Sequence, residues 1–360
     1  MLALLSQLLH ECGENALWIA DENSKALLVD NAASSSQPFP GRLISNRWDI
    51  VQAAASIGIR ASFSDFNLES AAESAALEVE VEGEGEGRFS RILYPVSKEK
   101  AAVHHIINCA PDFLQPGGEL LLIGSKNSGI KTYAQKAAQR FGASKQLQKH
   151  GSDYLSISKV QPQTGQRLDD SDYPLLRPLD SLGGLYSKPG LFGWNKIDTG
   201  SALLATHFAE HHPSANARVV DLGCGYGYLS TQLAQQLPTA QAITIQATDN
   251  NAAAIQACQR NFQVLGIQGE VVAGDAGSTI ESRSADLLIC NPPFHQGFQV
   301  EGDLTDRFLK QAARILRPQG IALFVVNEFI PLGKKAQGIF QSAELLNKEK
   351  GFCVYRLTKS

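Results

Sequence analysis

The six cysteines (Cys12, Cys109, Cys224, Cys258, Cys290 and Cys353) lie far apart and form no C-x-x-C pair, which argues against a disulfide framework and against a zinc site or other metal centre. Excess positive charge is also missing. The formal net charge of −4 excludes a basic nucleic-acid glove, so any RNA contact must come from a local patch. No apolar run reaches the ~18 residues that a membrane span needs. The first twenty residues, MLALLSQLLHECGENALWIA, lack an early Lys or Arg, and His10, Glu11 and Glu14 interrupt them before any small-residue cleavage site. Charged residues are sparse at 19%, against about 25% in an average soluble protein. What is present is 43% hydrophobic residues in a chain of 360, enough for full cores and too long for one small module. The expectation is a reduced, soluble, cytoplasmic protein of two domains, with a monomer as the simplest state.

The clearest boundary signal is the stretch 161–190, QPQTGQRLDDSDYPLLRPLDSLGGLYSKPG, which is rich in proline, glycine and aspartate and has no sustained periodicity. It reads as a linker between a domain over 1–160 and a domain over 191–360. Both halves alternate short β-type runs with helical stretches, the pattern of a mainly parallel α/β sheet. In the second half strands are expected at Arg218–Leu222, Ala242–Thr248, Glu270–Ala273, Asp286–Cys290, Ile321–Val326 and Cys353–Leu357. Helices are expected there at Tyr228–Gln236, Ala252–Leu265 and Asp303–Leu316. The first half offers strands at Ala16–Ala20, Ala26–Asp30, Ser90–Tyr94, Glu119–Ile123 and Tyr154–Ser158. LQPGGELLLIG (114–124) parallels LRPQGIALFVV (316–326), which suggests that one αβ unit was duplicated. Charge is uneven in the first half: residues 65–86 hold eight acids and no base, whereas 88–149 hold ten bases against three acids. Two solvated faces would explain this, as would an electropositive RNA-docking face.

Residues 218–230, RVVDLGCGYGYLS, run from a hydrophobic strand ending in Asp221 into a loop with Gly223, Gly225 and Gly227, then into a helix. Such a loop lets backbone approach a ligand closely and marks a nucleotide-type site at the end of a first strand. A dinucleotide fingerprint would want a small residue at 228, where Tyr228 stands. An acid two residues before alternate glycines instead resembles motif I of S-adenosylmethionine-dependent methyltransferases, whose cofactor carries a cationic sulfonium and an amino group that favour a carboxylate such as Asp221. Asp249 ends the second strand, where a carboxylate can accept ribose hydroxyls, and Asp275 follows the next strand, near where an adenine amine would lie. Each acid alone serves equally well as a cap or turn residue; the ordered set at successive strand ends points to a nucleoside site.

Asp286–Phe294, DLLICNPPF, carries a buried strand into Asn291-Pro292-Pro293-Phe294. Two prolines fix the backbone, so the Pro292 carbonyl and the Asn291 amide oxygen form a pair of acceptors. An exocyclic amine on a planar ring is a poor nucleophile because its lone pair is delocalised. Two acceptors on its N–H groups favour a tetrahedral nitrogen, and Phe294 would stack on the ring, at about 1–3 kcal/mol per base. A proline-braked turn is the plainer reading of the tetrapeptide by itself.

Together, D-x-G-C-G-x-G and N-P-P-F-H-x-G resemble the ribosomal RNA guanine-N2 methyltransferases, most closely the family of ribosomal RNA small subunit methyltransferase C. The resemblance implies two tandem Rossmann-like class I methyltransferase domains, the first degenerate. It implies S-adenosylmethionine as cofactor, 16S rRNA in the small ribosomal subunit (30S) as partner, and guanine N2 as target. LFGWNKIDTGSALL (191–204) is similar to the segment that precedes motif I in that family, which places Asp198 and Gly200 at the cofactor. By the same resemblance Gly223, Gly225 and Gly227 shape the cofactor loop, Asp221 lies near its amino-acid end, Asp249 takes the ribose and Asp275 lies by the adenine. Asn291 and Pro292 hold the guanine amine, with Asn291 also counted among the cofactor-binding residues, Phe294 stacks, and His295 and Gly297 match the extended motif. In the first half Glu22-Asn23-Ser24 stands where glycines would, and Tyr94-Pro95 occupies the NPPF slot, so that domain is expected to support folding and dock RNA. A 23S rRNA guanine-N2 enzyme, a glutamine methyltransferase of a release factor and a non-catalytic ribosome-assembly binder are the competing readings.

Overall fold

The computed structural model describes residues 1–33, 38–69, 72, 88–237, 242–293 and 301–360. The chain divides into two compact units, Met1–Leu175 and Leu176–Ser360.

The first unit holds strands β1 (Ala16–Ala20), β2 (Arg42–Ser45), β3 (Arg60–Phe63), β4 (Phe89–Pro95), β5 (Leu114–Ser125), β6 (Gln146–His150) and β7 (Asp153–Lys159). They form one sheet in the order β3-β2-β1-β4-β5-β7-β6. Pairing is parallel from β3 to β5 and antiparallel at β5–β7 and β7–β6. Every residue of β1 is buried, as expected for a central strand covered on both faces. Apolar side chains gather in two clusters, one around Leu17, Ile92 and Ile106, the other around Trp18, Leu43 and Ile50.

The second unit repeats this plan with β10 (Arg218–Leu222), β11 (Thr244–Asp249), β12 (Gly269–Ala273), β13 (Ala285–Cys290), β14 (Leu316–Asn327), β15 (Ser342–Glu349) and β16 (Phe352–Thr358). Their order is β12-β11-β10-β13-β14-β16-β15, position for position the order of the first sheet. The duplication read from the two Pro/Gly-turn-strand segments therefore extends to whole sheets. From β10 the chain moves outward through β11 to β12, then returns to the other side of β10 at β13. The ends of β10 and β13 thus flank a topological switch point, where open α/β sheets bind ligands.

Two readings of the sequence change. Ala26–Asp30 lies in the helix Lys25–Ala33, not in a strand. A short apolar run is ambiguous by periodicity alone, and here Asp21 caps the preceding 3₁₀ turn Glu22–Ser24 and starts a helical path. The stretch read as a linker is built into both units. In the first, the Asn108 side chain accepts from Leu168 N–H (2.7 Å) and donates to Leu168 C=O (2.9 Å), while Tyr173 is buried with its hydroxyl donating to Asp65 (2.7 Å). In the second, β8 (Arg177–Leu179) and β9 (Leu185–Ser187) pair as a hairpin, and Leu182 and Leu185 pack against Ala253, Ala254 and Ala257. Proline and glycine there mark irregular backbone, which buried Asn side chains satisfy in place of a sheet.

Candidate active site

The glycine loop leaves β10 with all three glycines at positive φ: Gly223 at 80°, Gly225 at 54° and Gly227 at 86°. That region disfavours any residue with a Cβ. A Cβ on Gly227 would also lie 2.8 Å from Cys258 Sγ, whereas one on Gly225 would meet nothing within 4 Å. Gly227 is thus required by packing, and Gly225 leaves open space. The loop is tied to the next strand by Gly223 and Cys224 N–H, which both donate to Thr248 C=O (2.9 and 3.0 Å).

Asp249, at the end of β11, braces this turn: Oδ2 accepts from Gly225 N–H (3.0 Å) and Oδ1 from Asn251 N–H (2.9 Å). Asp221 is fully buried. Its Oδ2 accepts from the N–H and the hydroxyl of Ser230 (3.1 and 2.6 Å), pinning the first turn of the helix Tyr228–Gln236. Its Oδ1 is buried with no partner among the described residues. Burial raises the Asp221 carboxyl to about 7, with the Asp249 charge adding, against the lowering effect of the two Ser230 hydrogen bonds.

Asn291 directly follows β13. The register Asp221↔Ile289 sets Gly223 and Asn291 each two residues beyond a paired position, side by side at the carboxyl edge of the sheet. The Asn291 Nδ2 donates to Asp198 Oδ2 (2.9 Å) and to Ser201 Oγ (2.8 Å), and its Oδ1 is buried without a partner among the described residues. Asp198 caps the helix Thr199–Ala205 through Ser201 N–H (2.8 Å). Pro292 is buried. Phe294, His295 and Gly297 lie outside the described residues.

Three of the expected residues also have partners or close packing within the protein. Asp198 is engaged with Asn291 and the helix cap. Gly200 has its missing Cβ 2.8 Å from the Phe352 ring, so its smallness serves close packing. Asp275 is ion-paired with Arg307 (2.7 Å), on the helix Glu301–Ile315. Ser201, Ser230 and Arg307 did not stand out in the sequence. Ser201 carried one usable signal, since Asp-x-x-Ser is a helix-start spacing; the other two depend on tertiary contact.

The methyltransferase small domain model matches residues 183–356. Ribosomal RNA small subunit methyltransferase C of Pseudomonas entomophila is 30% identical over 280 residues, covering 74% of this chain and 78% of that protein. Its counterpart in Shewanella loihica is 28% identical over 272 residues, covering 75% and 76%. The chain belongs to the ribosomal RNA small subunit methyltransferase C family. The fold agrees: T. thermophilus 16S rRNA N2 G1207 methyltransferase, solved in complex with AdoMet and guanosine, superimposes with a TM-score of 0.76 over 98% of this chain and 91% of that one, at 20% identity. Each unit accordingly has the class I methyltransferase architecture.

Within this family member the two sheets can be compared residue by residue. Trp18 pairs with Leu43 and Leu93 as Asp221 pairs with Ala247 and Ile289. Leu93 in turn meets Leu121 as Ile289 meets Leu323. By that register Trp18 stands at the position of Asp221, Ser45 at that of Asp249, and Pro95 at that of Asn291. The Tyr94-Pro95 reading of the NPPF slot therefore moves by one residue. Trp18 is fully buried, filling with an indole the place where the second unit keeps a carboxylate.

Proposed function

We propose that the chain transfers a methyl group from S-adenosylmethionine to the exocyclic N2 of a guanine in 16S rRNA, the position corresponding to G1207 of its T. thermophilus relative. The observation that carries this reading is the Asn291 amide, whose oxygen is buried and has no partner among the described residues, beside the glycine loop. An unsatisfied buried acceptor costs about 1–3 kcal/mol, a cost that makes sense where a ligand donor completes the pair.

The residues at the edge of the second sheet fit the cofactor. The open space at Gly225 admits a ligand against backbone, and Asp249, held beside that loop by its bond from Gly225 N–H, is the carboxylate placed for ribose hydroxyls. The buried Asp221 Oδ1, without a partner among the described residues, would offer an acceptor to the positively charged part of the cofactor. When bound, S-adenosylmethionine supplies a methyl group made electrophilic by its cationic sulfur. Asn291 Oδ1 and the Pro292 carbonyl then accept the two N–H groups of the guanine amine, drawing its lone pair out of ring conjugation, and Phe294 covers the ring face. As positive charge develops on the nitrogen, the two acceptors stabilise it, so catalysis rests on positioning and fixed dipoles. A paired guanine must first leave its stack, at a cost of a few kcal/mol.

For the first unit we propose RNA docking and support of its partner's folding. Lys126, Lys131, Lys145 and Lys149 belong to its basic stretch, while Arg140 is buried and spent on Asn108 C=O and Gly165 C=O. Asn291→Ala tests the catalytic reading. It is expected to lose methyl transfer by at least about 100-fold while binding S-adenosylmethionine normally by calorimetry; near-normal turnover would remove the argument.

A further inference from the structure

We propose that Asp198 and Ser201 are positioning residues that decide which end of the Asn291 amide faces the substrate. This rests on the reading of Asn291 as the acceptor for the target amine. An amide side chain presents an oxygen acceptor on one side and two N–H donors on the other, and a half-turn about its last bond exchanges them. With the ends exchanged, N–H would point at an amine that is itself a donor, and the site would repel its substrate. The prolines that follow Asn291 restrain backbone and leave its amide free to turn.

The restraint comes from a different element. Asp198 Oδ2 lies 2.9 Å from Asn291 Nδ2. An ionised carboxylate only accepts, so the nitrogen must face it and the oxygen must face away. Ser201 Oγ receives the second Nδ2 proton at 2.8 Å. Both N–H groups are thereby consumed, and the oxygen is the one polar atom of the amide left unpaired among the described residues. Asp198 is itself held: the same Oδ2 accepts Ser201 N–H at 2.8 Å as the cap of Thr199–Ala205, and the missing side chain of Gly200 lets that turn seat under Phe352. The Asp-Thr-Gly-Ser turn is thus a bracket for the amide, and Asp198 acts through Asn291, not on the cofactor.

The substitutions Asp198→Ser and Asp198→Asn separate the bracket from the cap. Serine caps a helix about as well as aspartate but is too short to reach Asn291; asparagine can cap and still offer an oxygen to Nδ2. The inference predicts that Asp198→Ser keeps its melting temperature and its affinity for S-adenosylmethionine, yet lowers kcat on 30S subunits about 100-fold, and that Asp198→Asn recovers at least about tenfold of that loss. Ser201→Ala, which retains the backbone N–H of the cap, is predicted to lower kcat about 3–10-fold at unchanged affinity for S-adenosylmethionine, the loss of one hydrogen bond. Full turnover in Asp198→Ser would overturn the proposal, and so would a loss confined to S-adenosylmethionine affinity. Wild-type protein assayed alongside keeps the two claims apart: absence of transfer by the wild type contradicts the proposed function, whereas active wild type with active Asp198→Ser contradicts only the bracket.

Discussion

At the scale of single residues, Asp221 combines two incompatible demands, complete burial and a charge. Its carboxyl is raised from 3.8 to about 7, with burial as the largest cause. The folded state therefore holds the proton more tightly than the unfolded chain. Stability from this group is fully present below the unfolded value and is lost as pH rises through about 7. Asp221→Asn should abolish that decline, so its denaturation midpoint relative to wild type should increase between pH 5 and pH 8; parallel midpoints across that range would contradict the raised value. Gly227 makes a second residue-scale claim. Gly227→Ala adds a Cβ at φ 86° and 2.8 Å from Cys258 Sγ, and should destabilise by about 1–3 kcal/mol in urea titration. Motif residues were legible because strand-end acids and glycines keep a fixed spacing. Their partners Ser230 and Arg307 were not, since nothing in a linear string says which serine or arginine will meet Asp221 or Asp275.

At the scale of elements, most inner strands were readable and most edge strands were not; the edge strand Gly269–Ala273 was read in part, and the inner strand Arg42–Ser45 was missed. Ala16–Ala20 is a continuous apolar run with every residue buried, because both faces of the strand are covered. Gln146–His150 is largely exposed and polar, so its strand character comes from pairing with β7 rather than from composition. The order of the 161–190 stretch was hidden for a related reason: it depends on Asn108, which bonds Leu168, and on Asn261, which bonds Tyr186 N–H (2.7 Å) and C=O (3.0 Å), both far away in sequence. The Asn108 side chain bonds both Leu168 N–H (2.7 Å) and Leu168 C=O (2.9 Å) and donates to Asp170 Oδ2 (3.2 Å). Asn108→Ala should therefore cost about 2–4 kcal/mol and expose 165–173 to protease well before global unfolding. Unaltered proteolysis there would show that Tyr173 and its neighbours hold the segment unaided.

At the scale of the whole molecule, two sheets of identical order carry opposite chemistry at corresponding positions. Trp18, Ser45 and Pro95 in one unit stand where Asp221, Asp249 and Asn291 stand in the other. Calorimetry should accordingly give a single S-adenosylmethionine site per chain; a stoichiometry of two would contradict the loss of function in the first unit. Charge reversal at Lys126, Lys131 and Lys136 should weaken rRNA binding and flatten its salt dependence while leaving cofactor affinity alone. Lys136 approaches His104 (2.9 Å) and Lys131 lies over the Tyr154 ring (5.0 Å), so circular dichroism of the variant must first match wild type. Among the described residues no helix is long and apolar enough to cross a membrane and no His/Cys/Asp/Glu cluster could hold a metal ion.

The most direct measurement is transfer of isotopically labelled methyl from S-adenosylmethionine to 30S subunits, 50S subunits and free rRNA, followed by digestion to nucleosides. Label recovered as N2-methylguanosine from 16S rRNA is the predicted result. Label in 23S rRNA, in protein or in another nucleoside would contradict it, and so would none at all.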